Sequence, residues 1–225
     1  MYHYVSVPPP DADAIRLDLS VPPEVFDAEM RFLSEQGYHT ISLEDLVRNL
    51  QTGAPLPPKP IVLTFDDGYA DQYENVFPTL KDFGFTGTFF IITGRADTNA
   101  PGYLTWQEIE EMAANGMEIG GHSLDHRFNL AVGSKQAQWR EIQPAREAVT
   151  QHVPSALPIF AYPSGSYNDD TLAIMRELNY VAAVTTKQSV TNSSDKFLEL
   201  RRIRIRGSWS VSEFANWLAY WLRQQ

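Results

Sequence analysis

The chain has 225 residues, 43% hydrophobic and 20% charged, enough for one domain with a substantial core. Its 28 acidic residues against 18 basic ones give a net charge of −10, which argues against nucleic acid or an anionic membrane as the main partner. There are no cysteines, which excludes disulfides and thiolate metal sites, and no apolar run approaches the roughly 20 residues of a membrane span.

Residues 1–7 alternate and predict a strand, and 8–20, with Pro8-Pro9-Pro10 and scattered aspartates, predict a loop. Ser20 is placed to cap a helix reaching about residue 36, with Phe26, Met30 and Leu33 on its buried face and Gly37 ending it. Tyr38 to Ile41 is a short strand, and Ser42 with Asp45 makes a capping box for a helix to about Leu50. Residues 52–60 hold four prolines and read as a surface connector. Ile61 to Phe65 is a buried strand, followed by a helix from Asp71 to Phe83 that Gly84 stops. Gly87 to Thr93 is another buried strand and 94–104 a loop. Thr105 with Glu108 caps a helix that ends at Gly116, and Met117 to Gly121 is a strand. A helix from Ser134 to about Val153 carries Pro144, where a kink is expected. Strand Pro158 to Tyr162, a helix over 168–178, strand Val181 to Thr185, a strand over 200–206 and an amphipathic helix over 210–223 complete the chain. This alternation predicts a single α/β domain over 1–225. The expected architecture is an irregular (β/α) barrel of about seven to eight parallel strands, with its site at the C-terminal strand ends. A doubly wound open sheet is the structural alternative.

Three strand ends carry the chemistry. Ile61-Val-Leu-Thr-Phe-Asp-Asp-Gly68 runs from apolar residues straight into two carboxylates. Neighbouring side chains on a strand point opposite ways, so Asp66 and Asp67 differ in role unless the chain turns, which Gly68 permits. Gly120-Gly-His-Ser-Leu-Asp-His126 places His122 and His126 four apart at a second strand end, a common metal-pair spacing; two unrelated loop histidines are the alternative. Phe160-Ala-Tyr-Pro-Ser-Gly165 is a strand ending in a Pro-Gly turn, where a backbone N–H can be exposed. Together these segments offer two imidazoles and one carboxylate with coordination positions left open, as in a catalytic metal site. One aspartate would hold the metal and the other stay free as a base.

The motifs TFDDG at 64–68, HSxxH at 122–126 and YPSG at 162–165 resemble those of the polysaccharide deacetylases, carbohydrate esterase family 4, the NodB-homology domain. The opening MYHYV and the later RIRI stretch are most similar to the poly-N-acetylglucosamine deacetylase branch. The resemblance implies a metal-dependent hydrolase that removes acetyl groups, foremost the N-acetyl of N-acetylglucosamine units, from an acetylated polysaccharide. It implies Asp67, His122 and His126 as ligands of a divalent metal, zinc being the usual ion. It further implies Asp66 as general base on the metal-bound water and the Ser164 backbone N–H as oxyanion donor. A secreted, periplasmic or cell-surface location follows from the resemblance, although no signal peptide precedes the first strand. No contact with nucleic acid or, through this domain, with a membrane is expected.

The departures from the family pattern generate further expectations. Ala161 stands where an arginine often orients the base, and the later Leu-x-His motif that supplies a general acid is absent. Alternation puts Arg202, Arg204 and Arg206 on one face, either a solvated edge or the source of that orienting group, which we assign to Arg204. In the resembled branch an N-terminal Tyr-His strand supplies the acid, and Tyr2-His3 matches it. A glycan-binding relative with a degraded site, and a two-His-one-carboxylate Fe(II) oxygenase, are the competing functions.

Overall fold

The computed structural model describes residues 1–127 and 129–223. In chain order it forms α1 (Ala14–Leu19), α2 (Pro23–Glu35), β1 (His39–Thr40), α3 (Leu43–Thr52), β2 (Pro60–Ile61) and β3 (Thr64–Phe65). A π-helical turn (Gln72–Val76) leads into α4 (Phe77–Phe83), then β4 (Thr88–Ile91), α5 (Thr93–Asp97), α6 (Trp106–Ala114) and β5 (Glu118–Gly121). The remainder is α7 (Lys135–His152), β6 (Ile159–Ala161), α8 (Asp169–Glu177), β7 (Ala182–Val184) and α9 (Val211–Leu222).

Strands β3-β4-β5-β6-β7 form one parallel sheet in sequence order, and β1 pairs with β2 apart from it. The sheet curls until its two edges meet through irregular stretches. Tyr2 bridges Phe65 in parallel on the β3 edge, and Leu200 bridges Val184 in parallel on the β7 edge. Those two stretches then bond to each other, Met1 N to Ile203 O at 2.8 Å and Ile205 N to Met1 O at 3.1 Å. The wall is therefore a curled parallel barrel, as the alternation predicts. Closure leaves the short strands no bare edge.

Residue alternation sorts the core into an outer and an inner layer. Phe65, Phe89 and Ile119 face outward with Phe26, Met30 and Leu33 of α2 and Ile109 and Met112 of α6. Phe90, Ile159, Ala161, Val184 and Leu200 face inward and meet Leu43 and Val47 of α3. Helix α3 thus plugs the barrel's N-terminal end. Glu118 of β5 caps it from inside, accepting from Leu43 N at 2.9 Å and Glu44 N at 3.0 Å.

Several local expectations shift. The predicted loop over 8–20 contains α1, whose start Asp13 caps by accepting from Arg16 N at 2.7 Å. Ser20 consequently ends α1 instead of capping α2, which begins on Pro22-Pro23 without a side-chain cap. The predicted loop over 94–104 contains α5. Helix α7 runs through Pro144 without interruption. The stretch 201–206 carries no strand of its own, so its arginines do not share one face.

Candidate metal and catalytic centre

Strand β3 ends in Asp66 and Asp67, and the backbone there reverses the expected alternation. Asp67 has φ +74° and Gly68 φ +71°, both left-handed. The turn begins at the aspartate itself, so both carboxylates reach the same end of the barrel instead of opposite faces. Left-handed backbone is uncommon for a side-chain-bearing residue and persists only where the surroundings hold it. Ser123, His126 and Ser164 adopt it as well, at φ +67°, +55° and +54°. Four of the seven side-chain-bearing residues with left-handed backbone among the described residues fall in the three motifs that the sequence singles out; Lys59, Asn99 and Asn179 lie elsewhere.

The donor atoms of Asp67, His122 and His126 all lie within 4.8 Å of one another. His122 Nε2 is 3.1 Å from Asp67 Oδ1, and His126 Nε2 is 4.0 Å from the same oxygen. His122 Nδ1 lies 2.7 Å from the Ala161 carbonyl, so Nδ1–H donates there and Nε2 is the ring atom turned toward Asp67, free to bind a cation when it is unprotonated. Burial pushes the His122 imidazole down, but the Asp67 carboxylate beside it prevails and raises it. The same contact outweighs burial at Asp67 and holds its carboxyl below the usual range. Burial and the neighbouring His122 push His126 down. Two imidazoles and a carboxylate, packed at this spacing with one ring oriented by a carbonyl, fit a divalent cation.

The loop bearing the histidines is braced from two sides. Gly94 N donates to Leu124 O at 2.8 Å, and a Cβ on Gly94 would sit 2.7 Å from that oxygen, so only glycine lets α5 approach. Glu141 of α7 accepts from Asp125 N at 3.0 Å. The Asp125 side chain pairs with Arg127 and not with the triad.

Asp66 stands apart from that triad, 2% exposed. Arg202 grips it with two hydrogen bonds, Nη1 to Oδ1 and Nη2 to Oδ2, both 2.7 Å. Arg202 is itself fixed, Nε donating to Thr185 O at 3.0 Å and Nη1 to Thr64 Oγ1 at 3.1 Å. Burial raises the Asp66 carboxyl, but the guanidinium overrides it and holds the group well below the usual carboxylate range. Asp66 is therefore an ionised, oriented carboxylate without a bound role in the triad.

The assignment of the orienting group to Arg204 is thus corrected to Arg202. Arg204 lies two residues further on, partly exposed, and faces Asp18 at 3.7 Å; Arg206 shares that partner at 3.1 Å. Only Arg202 sits at the height of Asp66, buried behind it. His3 is also brought in, its Nε2 4.0 Å from Asp66 Oδ2. Burial pushes its imidazole down, and its Nδ1 is buried without a partner among the described residues. His39 and His152 are elsewhere, bonded to Pro58 O and paired with Glu110. Ser164 follows the Ala161 carbonyl by three residues in a turn where Gly165 has no room for a Cβ, which would meet Thr186 Oγ1 at 2.1 Å.

Trp106 is core, stacked on His152 with its indole N–H on Asp97 at 2.8 Å. Tyr69 and Tyr103 stack in a row with Tyr4, at 5.2 Å and 3.6 Å between ring centroids, next to Asp67.

A family model described as polysaccharide deacetylase matches residues 53–183. YxkH of Bacillus subtilis is 29% identical over 97% of this chain and 74% of its own length. The poly-beta-1,6-N-acetyl-D-glucosamine N-deacetylase of Escherichia coli K12 is 25% identical over 88% of this chain, which spans 35% of that protein. Among solved structures, the Streptococcus pyogenes deacetylase PplD, in complex with acetate, superposes with a TM-score of 0.87 at 31% identity, over 96% of this chain and 94% of its own.

Proposed function

The chain belongs to the polysaccharide deacetylase family and is a deacetylase, and from that premise we propose that it is a zinc-dependent hydrolase removing N-acetyl groups from poly-N-acetylglucosamine. The observation that carries this reading is the division of labour between adjacent aspartates: Asp67 turned into the His122–His126 cluster, Asp66 held by Arg202 outside it. The substrate class rests on the E. coli relative, whose name is that of a poly-beta-1,6-N-acetyl-D-glucosamine N-deacetylase.

Asp67, His122 and His126 would hold the metal. A divalent ion bound there would acidify a water toward neutral pH and polarise the acetyl carbonyl. Asp66, ionised and fixed, would take the proton of the attacking water. The Ser164 backbone N–H would donate to the oxyanion as the carbonyl carbon becomes tetrahedral. His3 would protonate the departing amine, because an amide ion is too poor a leaving group at neutral pH. Burial favours a neutral His3 at rest, so its proton would arrive within the cycle, from the side of Asp66 4.0 Å away. Extracellular or periplasmic action on an acetylated polysaccharide is the matching setting. Arg202, bonded to Asp66, and His3, 4.0 Å from it, would supply the orienting arginine and the acid that the motifs lack, which argues against the degraded-site alternative. The Fe(II) oxygenase alternative has no support in the family assignment.

The test is acetate release from β-1,6-linked N-acetylglucosamine oligomers by the zinc-loaded protein, beside the Asp66→Asn variant. Asp66→Asn is expected to retain stoichiometric zinc and to lose about 10²-fold or more in kcat. Loss of zinc in Asp66→Asn with retention in Asp67→Asn would reverse the two roles. Zinc binding without acetate release from these oligomers, but with release from xylan or peptidoglycan fragments, would move the substrate class and keep the mechanism.

A further inference from the structure

An apolar cavity of about 500 Å³ opens away from the triad, and none of Asp66, Asp67, His3, His122 and His126 lines it. Its walls come from α3, the stretch Pro60 to Thr64, the 200–205 stretch and α9. Thr64 and Arg202 form part of its lining and are already bonded to each other. Helix α9 leaves it partly open: of that helix's residues only Phe214 is fully buried, while Trp217 and Leu222 are 42% and 39% exposed beside the cavity.

The size lies in the range of small-molecule sites. A sugar would bury hydroxyls against leucine and isoleucine without partners, at a cost that an alkyl chain does not incur. One side of the lining is polar, supplied by Ser189, Thr191, Asn192 and Arg201. Arg202, Arg204 and Arg206 each meet a carboxylate, whereas exposed Arg201 meets none among the described residues. An uncompensated cation at the edge of an apolar cavity suits an anionic head group.

We infer that this cavity binds a single-chain anionic amphiphile, its alkyl chain between α3 and α9 and its head group on Arg201. The site is independent of the deacetylase reading. The experiment is a fluorescence titration of the full chain with cis-parinarate, read by energy transfer from Trp209 and Trp217, with dodecanoate and dodecanol as competitors. One saturable site is expected, displaced by dodecanoate more effectively than by dodecanol. Val190→Trp and Leu218→Trp, which fill the cavity, should each weaken parinarate about tenfold or more. Arg201→Ala should weaken dodecanoate about two- to fivefold and leave dodecanol unchanged. Val190 lies in a loop, so that variant stays informative if Leu218→Trp misfolds, and melting temperature monitors both. Absence of saturable parinarate binding, or binding untouched by both tryptophan variants, would overturn the proposal. So would self-association that Val190→Trp abolishes without any parinarate binding, which would assign the surface to a second copy of the chain.

Discussion

At Asp67 a backbone φ of +74° brings a carboxylate to the imidazoles that a regular strand would have turned away, and its neighbour Asp66 is left to Arg202. That guanidinium does two things. It keeps Asp66 ionised against burial, and it fixes both oxygens in one plane. Arg202→Met should leave zinc content intact, lower kcat by about 10²-fold and change KM little, since in the proposed scheme the lost contact acts on the base. Arg202→Lys should recover part of kcat, because it restores the charge but not the two-point grip. Equal kcat in the Met and Lys variants would count against an orienting role. Breaking the buried pair should also cost about 3–5 kcal/mol of stability. For His3 the informative comparison is between leaving groups. His3→Ala should impair amide turnover sharply and an activated acetate ester far less, since the ester's leaving group needs no proton. Equal losses on both would point the acid role elsewhere.

Among the elements, α3 illustrates how the barrel's interior supports the site above it. The helix carries its own capping box, Ser42 with Asp45, and a second cap reaches it from the sheet through Glu118. The Glu118 carboxyl, raised by burial, joins the first turn of the plug to β5, whose other end carries His122. Glu118→Ala should lower stability by about 1–3 kcal/mol in urea unfolding, by orphaning Leu43 N and Glu44 N. Glu118→Gln, which keeps one acceptor oxygen, should lose less. An unchanged urea midpoint in Glu118→Ala would show that the helix's own box suffices. The capping boxes of α3 and α6 were readable because Ser/Thr and an acid three residues apart act locally. Helix α1 was not, because prolines and aspartates in 8–20 carry the same turn signals whether or not a short helix forms between them.

For the molecule as a whole, the buried acid Glu29 of α2 is one group through which stability follows pH. It is fully buried, accepts from the Tyr2 hydroxyl at 2.8 Å, and its other oxygen has no partner among the described residues. Burial pushes its carboxyl up from 4.5 to about 8. Between those values the folded chain keeps a proton that the unfolded chain releases. Glu29's contribution to stability therefore falls as pH rises through that interval, by up to about 1.4 kcal/mol per pH unit, and the full penalty persists above it; the buried Met1 amine, lowered by burial from 8 to about 5, contributes with the opposite sign. Glu29→Gln removes the titration and keeps an acceptor for Tyr2. Its melting temperature should exceed that of the unaltered protein at pH 8, with the gap closing toward pH 5. Parallel curves across that range would show that Glu29 does not titrate in folding.

Alternation of apolar runs and capped helices determined the parallel α/β barrel, because buried strands and amphipathic helices are written in local periodicity. The motifs at 64–68, 122–126 and 162–165 determined which strand ends carry donors, since residue types and short spacings survive without coordinates. The matched family region, 53–183, contains all three and neither His3 nor Arg202. Those two depended on closure of the barrel wall, where the first residues pair with β3 and the 200–205 stretch pairs with both β7 and Met1. Residues 136 positions apart in the chain, Asp66 and Arg202, become hydrogen-bonded only through that closure. Periodicity put Arg202, Arg204 and Arg206 on one face; it could not show that 201–206 forms no regular strand and that only Arg202 turns into the barrel onto Asp66, because that path is set by how the stretch closes the wall.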